Sequence, residues 1–338
     1  MGLHFAYTPP QTTIEEMLGH RCVNLFGTII SGDDERFIEF LGRSEVPPRT
    51  DVYIDSAGGD VEAAINIGRV VRDNWLHTHV GQYLLDPSPA EHDDIFKPRS
   101  FQEGSCMSAA TLLFLGGRLR FLSKGAKFGV HQFSFRDPSP MHIGRSQIMS
   151  SKIARYISDM GIPPEFLEIS AATESTEIKL LDHDELRTIS VVTDGETPVQ
   201  WTVQSRNNTL YVRGERDSFF GHHKILLGFA KPQFYINAVV ESQGRASQLT
   251  AFPLVELVVG MREQQVIDVS QRCERSETGM YTNLFLMISN AEAHEIAKSD
   301  GFGLRVRGGP DAGMFLGIAP MSTKGGEDLL ESFVQTLS

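Results

Sequence analysis

Three short segments hold the residues whose types and spacing could do chemistry. Ser108 stands in Gly104-Ser105-Cys106-Met107-Ser108-Ala109-Ala110-Thr111, among small residues that open an apolar stretch. Small neighbours would let a carbonyl group approach the hydroxyl, and a serine at such a place is equally a natural helix N-cap. His131 follows inside the apolar run Lys127–Phe135. An imidazole there could take the serine proton as general base, or could be a hydrogen-bonded core histidine. The third segment, Tyr53-Ile54-Asp55-Ser56-Ala57-Gly58-Gly59-Asp60-Val61, leaves a strand through Gly-Gly and enters a helix. Such a turn exposes backbone N–H groups where a negative oxygen is stabilised, although glycines could serve the turn alone.

Taken in order, these segments resemble the serine peptidases of the caseinolytic protease (ClpP) type. That family carries Ser-Pro-Gly-Gly after a strand, Gly-x-x-x-Ser-Met-Ala before a helix, and Ile-His-Gln-Pro on a strand. Here the counterparts are Ser56-Ala57-Gly58-Gly59, the run Gly104 to Ala110, and Val130-His131-Gln132-Phe133. Leu113 to Phe121 is similar to the family's helix-to-strand passage, and the likeness extends from Arg21 to Asp194. It implies an α/β ClpP/crotonase-like fold, a homo-oligomer, and hydrolysis of a peptide or protein substrate through a serine acyl-enzyme. On the matching positions, Ser108 would be the nucleophile, His131 its base, and the Gly59 and Ala109 amides the oxyanion hole. No metal or other cofactor is implied.

The chain departs from the family at several positions. Ala57 and Phe133 replace prolines, Cys106 lies two residues before the serine, and residues 84–103 form an inserted stretch. No aspartate occupies the position of the third triad member. Counting from either side reaches Glu174 or the neighbourhood of Glu177, either of which could orient His131 or be a solvated loop residue. The signal-peptide-peptidase relatives use a Ser/Lys pair instead, which would make Lys152 an alternative base, against the plainer reading of an exposed helical lysine. Two readings from other classes stand beside the peptidase. One is a catalytically inactive scaffold or binding protein that keeps the fold. The other is a thioester-handling crotonase-like enzyme, which would not need the Ser108–His131 pair.

The elements that must position these residues alternate in type. The pattern predicts strands at Arg21–Ile30, Asp51–Asp55 and His77–Gln82, with helices at Asp33–Gly42 and Val61–Val71 between them. A loop at 84–103, a helix at Gly104–Leu115, strands at Leu119–Leu122 and Lys127–Phe135, and a helix at Ser146–Met160 complete the series. That order predicts a mostly parallel sheet flanked by helices. After Gly195 the texture changes to strands at Val199–Gln204, Thr209–Gly214, Lys224–Ala230, Gln233–Val240, Gln264–Val269 and Tyr281–Ile288. Only two helices are expected there, Ala291–Lys298 and Glu327–Leu337. The expectation is therefore two domains, 1–195 of α/β type and 196–338 a β-rich accessory domain of unknown role, through which a partner protein could dock.

Composition narrows the function classes. With 338 residues, 41% hydrophobic and 22% charged, the chain can bury a core without staples. A net charge of −12 argues against nucleic acid as a partner. Three scattered cysteines, no N-terminal leader pattern and no long apolar run point to the cytoplasm and away from a membrane. His77 and His79 share a strand face but lack a nearby third metal ligand, His222 and His223 would point to opposite faces, and Cys106 reads as a packed thiol.

Overall fold

Val23, Leu25, Val52, Ile54 and Val80 recur with a period of two along three short runs, and all are buried. That period builds strands with one apolar face. They lie in the first of two units, Met1–Gly195 and Glu196–Ser338, into which the chain divides. The computed structural model describes residues 2–86, 95–133 and 142–338.

Along the chain, the first unit opens with β1 (His4–Thr8), α1 (Thr13–Leu18), β2 (Cys22–Phe26), α2 (Asp33–Ser44), β3 (Asp51–Asp55), α3 (Val61–Asp73) and β4 (His77–Val80). It continues through β5 (Gln82–Leu85), β6 (Arg99–Gln102), β7 (Ser105–Met107), α4 (Ala109–Leu115), β8 (Arg120–Phe121) and β9 (Lys127–Val130). It closes with α5 (His142–Asp159), α6 (Glu165–Ala171), β10 (Lys179–Leu181) and α7 (His183–Thr188). The main sheet has the order β1-β2-β3-β4-β8, antiparallel at β1 and parallel in its other pairs. A second sheet, β10-β9-β7, joins β7 and β9 in parallel and carries Ser108 and His131 at its strand ends.

The strand expected over Lys127–Phe135 ends at Val130, so His131 follows it rather than lying within it, and two further expectations change. Gly104–Leu115 is not one helix: Ser105–Met107 is a strand, and α4 begins at Ala109. Ser56 fixes that strand, its N–H donating to the Ser105 carbonyl at 2.7 Å and its carbonyl accepting from Met107 at 3.0 Å. Nor is 84–103 a bare loop, because β5 and β6 pair as an antiparallel ladder. The Asn24 amide holds β5, donating to the Tyr83 carbonyl at 2.9 Å and accepting from its N–H at 2.8 Å. Arg99 and Glu15, both almost fully buried, pin the return strand through an ion pair of 2.8 Å. Residues 87–94 of that stretch, and 134–135 of the strand expected to reach Phe135, lie outside the described residues.

The helices that follow the Gly58-Gly59 turn and Ser108 touch each other directly. α3 presents Ala64, Ile67, Gly68 and Val71 to the core, and α4 is buried along its whole length. A methyl group on Gly116 would overlap the Gly68 carbonyl oxygen and stand 2.6 Å from the Gly68 Cα. On Gly68, a methyl would overlap the Tyr156 hydroxyl and stand 3.0 Å from its Cζ. That buried hydroxyl of α5 donates to the Leu112 carbonyl at 2.8 Å, tying α5 onto α4.

The second unit pairs its described strands antiparallel. It runs β11 (Gln200–Arg206), β12 (Thr209–Ser218), β13 (Gly221–Ala230), β14 (Gln233–Glu241), α8 (Ala246–Ala251), β15 (Leu254–Val259) and β16 (Gln265–Asp268). Then come β17 (Cys273–Thr278), β18 (Tyr281–Ile288), α9 (Asn290–Lys298), β19 (Gly301–Arg307), β20 (Leu316–Ser322) and α10 (Glu327–Leu337). One sheet is β11-β12-β13-β14-β18-β17 and the other β16-β15-β19-β20. Inward residues of both, such as Ile225, Ile236, Leu284, Leu257 and Leu304, share a core with Leu330 and Phe333 of α10. The strands β15, β17, β19 and β20 and the helix α8 were not expected from the sequence.

Overpacking the helix contact should be costly. Gly116→Ala is expected to lower stability by about 2 kcal/mol or more, because its neighbour is backbone that cannot rotate away. Gly68→Ala should also destabilise, but combining it with Tyr156→Phe should recover about 1 kcal/mol relative to the sum of the single changes. Urea denaturation of the four proteins measures this; strictly additive values would contradict the Gly68–Tyr156 contact.

Candidate active site

Ser108 is the single residue between β7 and α4, and its backbone lies at φ 54° and ψ −127°. A residue with a Cβ rarely adopts that region, at a cost of about 1–3 kcal/mol. The turn holds it there by using its backbone on both sides. Its N–H donates to the Gly129 carbonyl at 2.9 Å, and its carbonyl accepts from the Thr111 N–H at 3.0 Å and hydroxyl at 2.6 Å. The hydroxyl makes no capping bond to α4, so the strained position is not explained by helix capping.

The Gly58-Gly59 turn packs against this serine. Both glycines have positive φ, 97° and 142°, which a side chain would strain. A methyl on Gly58 would stand 2.7 Å from the Met107 carbonyl oxygen, 2.9 Å from the Ser108 Cβ and 3.0 Å from the Ala109 nitrogen. A methyl on Gly59 would overlap the Ile29 carbonyl oxygen. The neighbouring amides are occupied: Ile29 donates to the Gly58 carbonyl and Asp60 to the Ile29 carbonyl, each at 2.9 Å. That parallel bridge turns the Gly59 N–H away from Ile29. Ala109, first in its helix, has no carbonyl behind it to bond. Among the described residues, the Gly59 and Ala109 N–H groups have no hydrogen-bond acceptor.

His131 follows the end of β9. Its Nδ1 lies 2.8 Å from the Gln132 carbonyl oxygen. A carbonyl only accepts, so Nδ1 carries the proton and Nε2 keeps a lone pair for a substrate-side proton. The surrounding backbone is anchored, with the Gln132 N–H donating to the Thr173 carbonyl and the Ser170 hydroxyl to the His131 carbonyl, each at 2.9 Å.

Ser108, His131, Gly59 and Ala109 line one cavity of about 280 Å³. Its remaining wall mixes apolar side chains, Val61, Leu112, Ile153, Ile157, Phe166 and Leu167, with the polar Thr111, Gln132, Ser150 and Ser170. Among the described residues, no hydrogen bond joins the Ser108 hydroxyl to His131, a contact that in unliganded sites commonly tightens only with substrate. The α6 residues Phe166, Leu167 and Ser170 carried no signal in the sequence beyond an apolar pattern after Pro163-Pro164.

The other candidates lie elsewhere. Glu174 and Glu177 are exposed, the Glu177 N–H donating to the Glu174 carbonyl at 2.9 Å, and neither carboxylate reaches His131 or lines the cavity. The expected third member is thus not supplied by either. Lys152 pairs with Glu62 at 2.5 Å and lines a separate polar hollow of about 730 Å³. Ile153, the next residue on α5, faces the serine instead, so the Ser/Lys arrangement is not formed. Cys106 is fully buried, which raises its thiol pKa well above the ordinary value and makes a thiolate nucleophile unfavourable. His77 and His79 share Asp51, at 3.4 and 3.2 Å. Burial pushes the Asp51 carboxyl up, but the hydrogen bonds from the two imidazoles outweigh it and hold it below the usual range. Among the described residues, no group of three or more His, Cys, Asp or Glu could hold a metal ion.

No family model matches the chain, and no curated protein matches it. No described helix is long and apolar enough to cross a membrane.

The strain at Ser108 is measurable. Ser108→Gly should stabilise the protein by about 1 kcal/mol, the relieved strain exceeding the entropy that glycine adds to the unfolded chain. Ser108→Ala keeps the Cβ and should leave stability within about 0.5 kcal/mol of the parent. Equal denaturation midpoints for the two variants would contradict this.

Proposed function

We propose that the first unit is a ClpP-like serine hydrolase that cleaves peptide bonds through an acyl-enzyme on Ser108. The observation that carries this reading is the meeting, in one cavity, of a strained serine, a histidine with its Nε2 free to accept, and two backbone amides without acceptors. The Ser108 Oγ attacks the substrate carbonyl carbon while His131 Nε2 takes its proton. The oxygen of the tetrahedral intermediate accepts from the Gly59 and Ala109 N–H groups. Collapse breaks the C–N bond, and His131 returns the proton to the departing amine. Water then attacks the acyl-serine by the same route in reverse, releasing the acid. Side chains and backbone amides of this chain carry every step, and the Gln132 carbonyl stands where a triad carboxylate would orient the imidazole.

The apolar wall suits an uncharged side chain beside the scissile bond. The reading carries with it a homo-oligomer, a cytoplasmic location, and a partner-docking role for residues 196–338. A second reading, an inactive scaffold, draws on the lack of a carboxylate at His131 among the described residues.

A fluorophosphonate probe separates the two. The intact protein should be labelled at Ser108, with Ser108→Ala abolishing the label and His131→Ala slowing it by about 100-fold or more. Lys152→Ala and the double change Glu174→Gln/Glu177→Gln should leave the rate within about twofold, since neither site touches the reacting atoms. No labelling of the parent, or labelling that survives Ser108→Ala, would favour the scaffold.

A further inference from the structure

The second unit holds a cavity of about 390 Å³ that has no part in the reaction above. It lies at one end of the six-stranded sheet, between the β12–β13 hairpin, the chain after β14, and the approach to β20. Three features set it apart. First, buried polar side chains concentrate there: Arg216, Ser218, His223, Glu241 and Ser242 are each 8% exposed or less and all line it. Burying such groups is unfavourable unless they are satisfied, and Ser218 bonds the hairpin turn while Ser242 bonds Thr282, so the polar wall is held in place by the fold. Behind them, His222 sits between Glu215 at 2.9 Å and Asp217 at 3.2 Å, which fixes the hairpin end. Burial alone would lower the basicity of His222, but these two carboxylates outweigh it.

Second, two guanidinium groups on the wall keep hydrogen-bond donors to spare, beside one carboxylate, Glu241. Glu241 is engaged, its Oε2 accepting from the His222 N–H at 2.7 Å. Arg216 pairs with Glu196 through one terminal nitrogen, and its buried Nε has no acceptor among the described residues. Arg245 spends its Nε on Gln248 at 2.8 Å, leaving its terminal nitrogens for another acceptor. Third, the rim is apolar where folding does not ask for it. The hairpin turn is Phe219-Phe220 rather than the usual Asn or Gly, and Phe220 is 78% exposed. Met314, on the same rim, is 79% exposed.

We propose that this cavity binds a carboxylate carried next to an apolar side chain, as at the free C-terminus of a peptide or in a small aryl or alkyl acid. The carboxylate lies toward Arg216 and Arg245, where a guanidinium can take it in two parallel hydrogen bonds. The apolar group packs against Phe220, Met314 and Phe315. The volume falls in the range of sites for small ligands or one to two residues of chain.

Calorimetric titration of the full chain tests this with three probes: N-acetylphenylalanine, its carboxamide, and a five-residue peptide ending in phenylalanine with a free carboxylate. The two acids should bind saturably, and the carboxamide about tenfold or more weaker, as expected for loss of a charge-assisted pair. Arg245→Gln, an exposed change that should keep the melting temperature, should weaken the acids about fivefold or more and leave the amide unchanged. Met314→Ala should weaken all three. Tighter binding of the peptide than of the amino-acid derivative identifies a chain end as the source; equal binding identifies a free acid. The proposal is overturned by equal affinity for acid and amide, by no binding of either acid at millimolar concentration, or by an Arg245→Gln protein that binds the acids as the parent does.

Discussion

Everything at the candidate active site hangs on the contact between Gly68 and Gly116. Packed helices ordinarily stand about 8–10 Å apart because side chains fill the seam. Here two glycines let α3 and α4 meet backbone to backbone, with the Tyr156 hydroxyl closing the gap from α5. Gly68 lies two turns into α3 and Gly116 directly follows α4, so each helix begins about 10 Å from the contact at 1.5 Å per residue. A crossing that close brings the two starting turns together, and it is there that Gly58 touches Ser108 and Ala109. For the Gly59 and Ala109 amides to serve one oxygen, as proposed, their helices cannot stand a methyl group's width further apart.

Hydrogen-bond accounting explains which groups are left for chemistry. Ser56 serves β7 on both sides, Ser108 is held by Gly129 and Thr111, and Gly58 and Asp60 are spent on Ile29. What remains over is the Gly59 N–H and the Ala109 N–H. Ala109 is buried, where backbone groups are almost always paired, so its N–H without an acceptor among the described residues marks a place that could receive one; the exposed Gly59 N–H lies at the same cavity. His131 obeys the same economy, its Nδ1 satisfied by the adjacent carbonyl and its Nε2 left to accept.

The sequence made much of the first unit legible because its signals were local. Asp51–Asp55 and the helix from Val61 follow directly from alternation, then Gly-Gly, then apolar residues at helical spacing. Ser105–Met107 carries no period of its own and runs on into Ala109-Ala110; only the pairing with Ser56 and β9 makes it a strand. In the second unit the missed strands each hide their pattern. Cys273–Thr278 is nearly all polar at a sheet edge, Gly301–Arg307 is interrupted by glycines, Leu316–Ser322 contains Pro320, and Leu254–Val259 is apolar without a break around Glu256. The site was legible in its nucleophile segment and its glycines, since those rest on backbone geometry. The imidazole's partner was not: a backbone carbonyl leaves no trace in residue identity, and the search for a carboxylate led to Glu174 and Glu177.

A neutral carbonyl behind the histidine changes the electrostatic problem. A carboxylate would hold the imidazolium by charge; the Gln132 carbonyl offers only a dipole, which fixes the tautomer and the ring but stabilises the cation less. The apolar wall acts in both directions. On the proposed reading, its apolar side chains strengthen two N–H dipoles toward a developing oxyanion and make an isolated imidazolium more costly. These effects are reconciled only if the two charges arise together and close to one another, so that the cavity encloses a neutral pair rather than a lone ion. Proton transfer from Ser108 to His131 concerted with attack on the carbonyl meets that condition, because the oxyanion at Gly59 and Ala109 appears as the imidazolium does. A stepwise transfer would set the same imidazolium beside a Ser108 alkoxide, but on an oxygen that the two amides do not hold. On the proposed reading, a concerted transfer suits the site, and the demand for precision then falls on the distance between the two turns that the glycine contact sets.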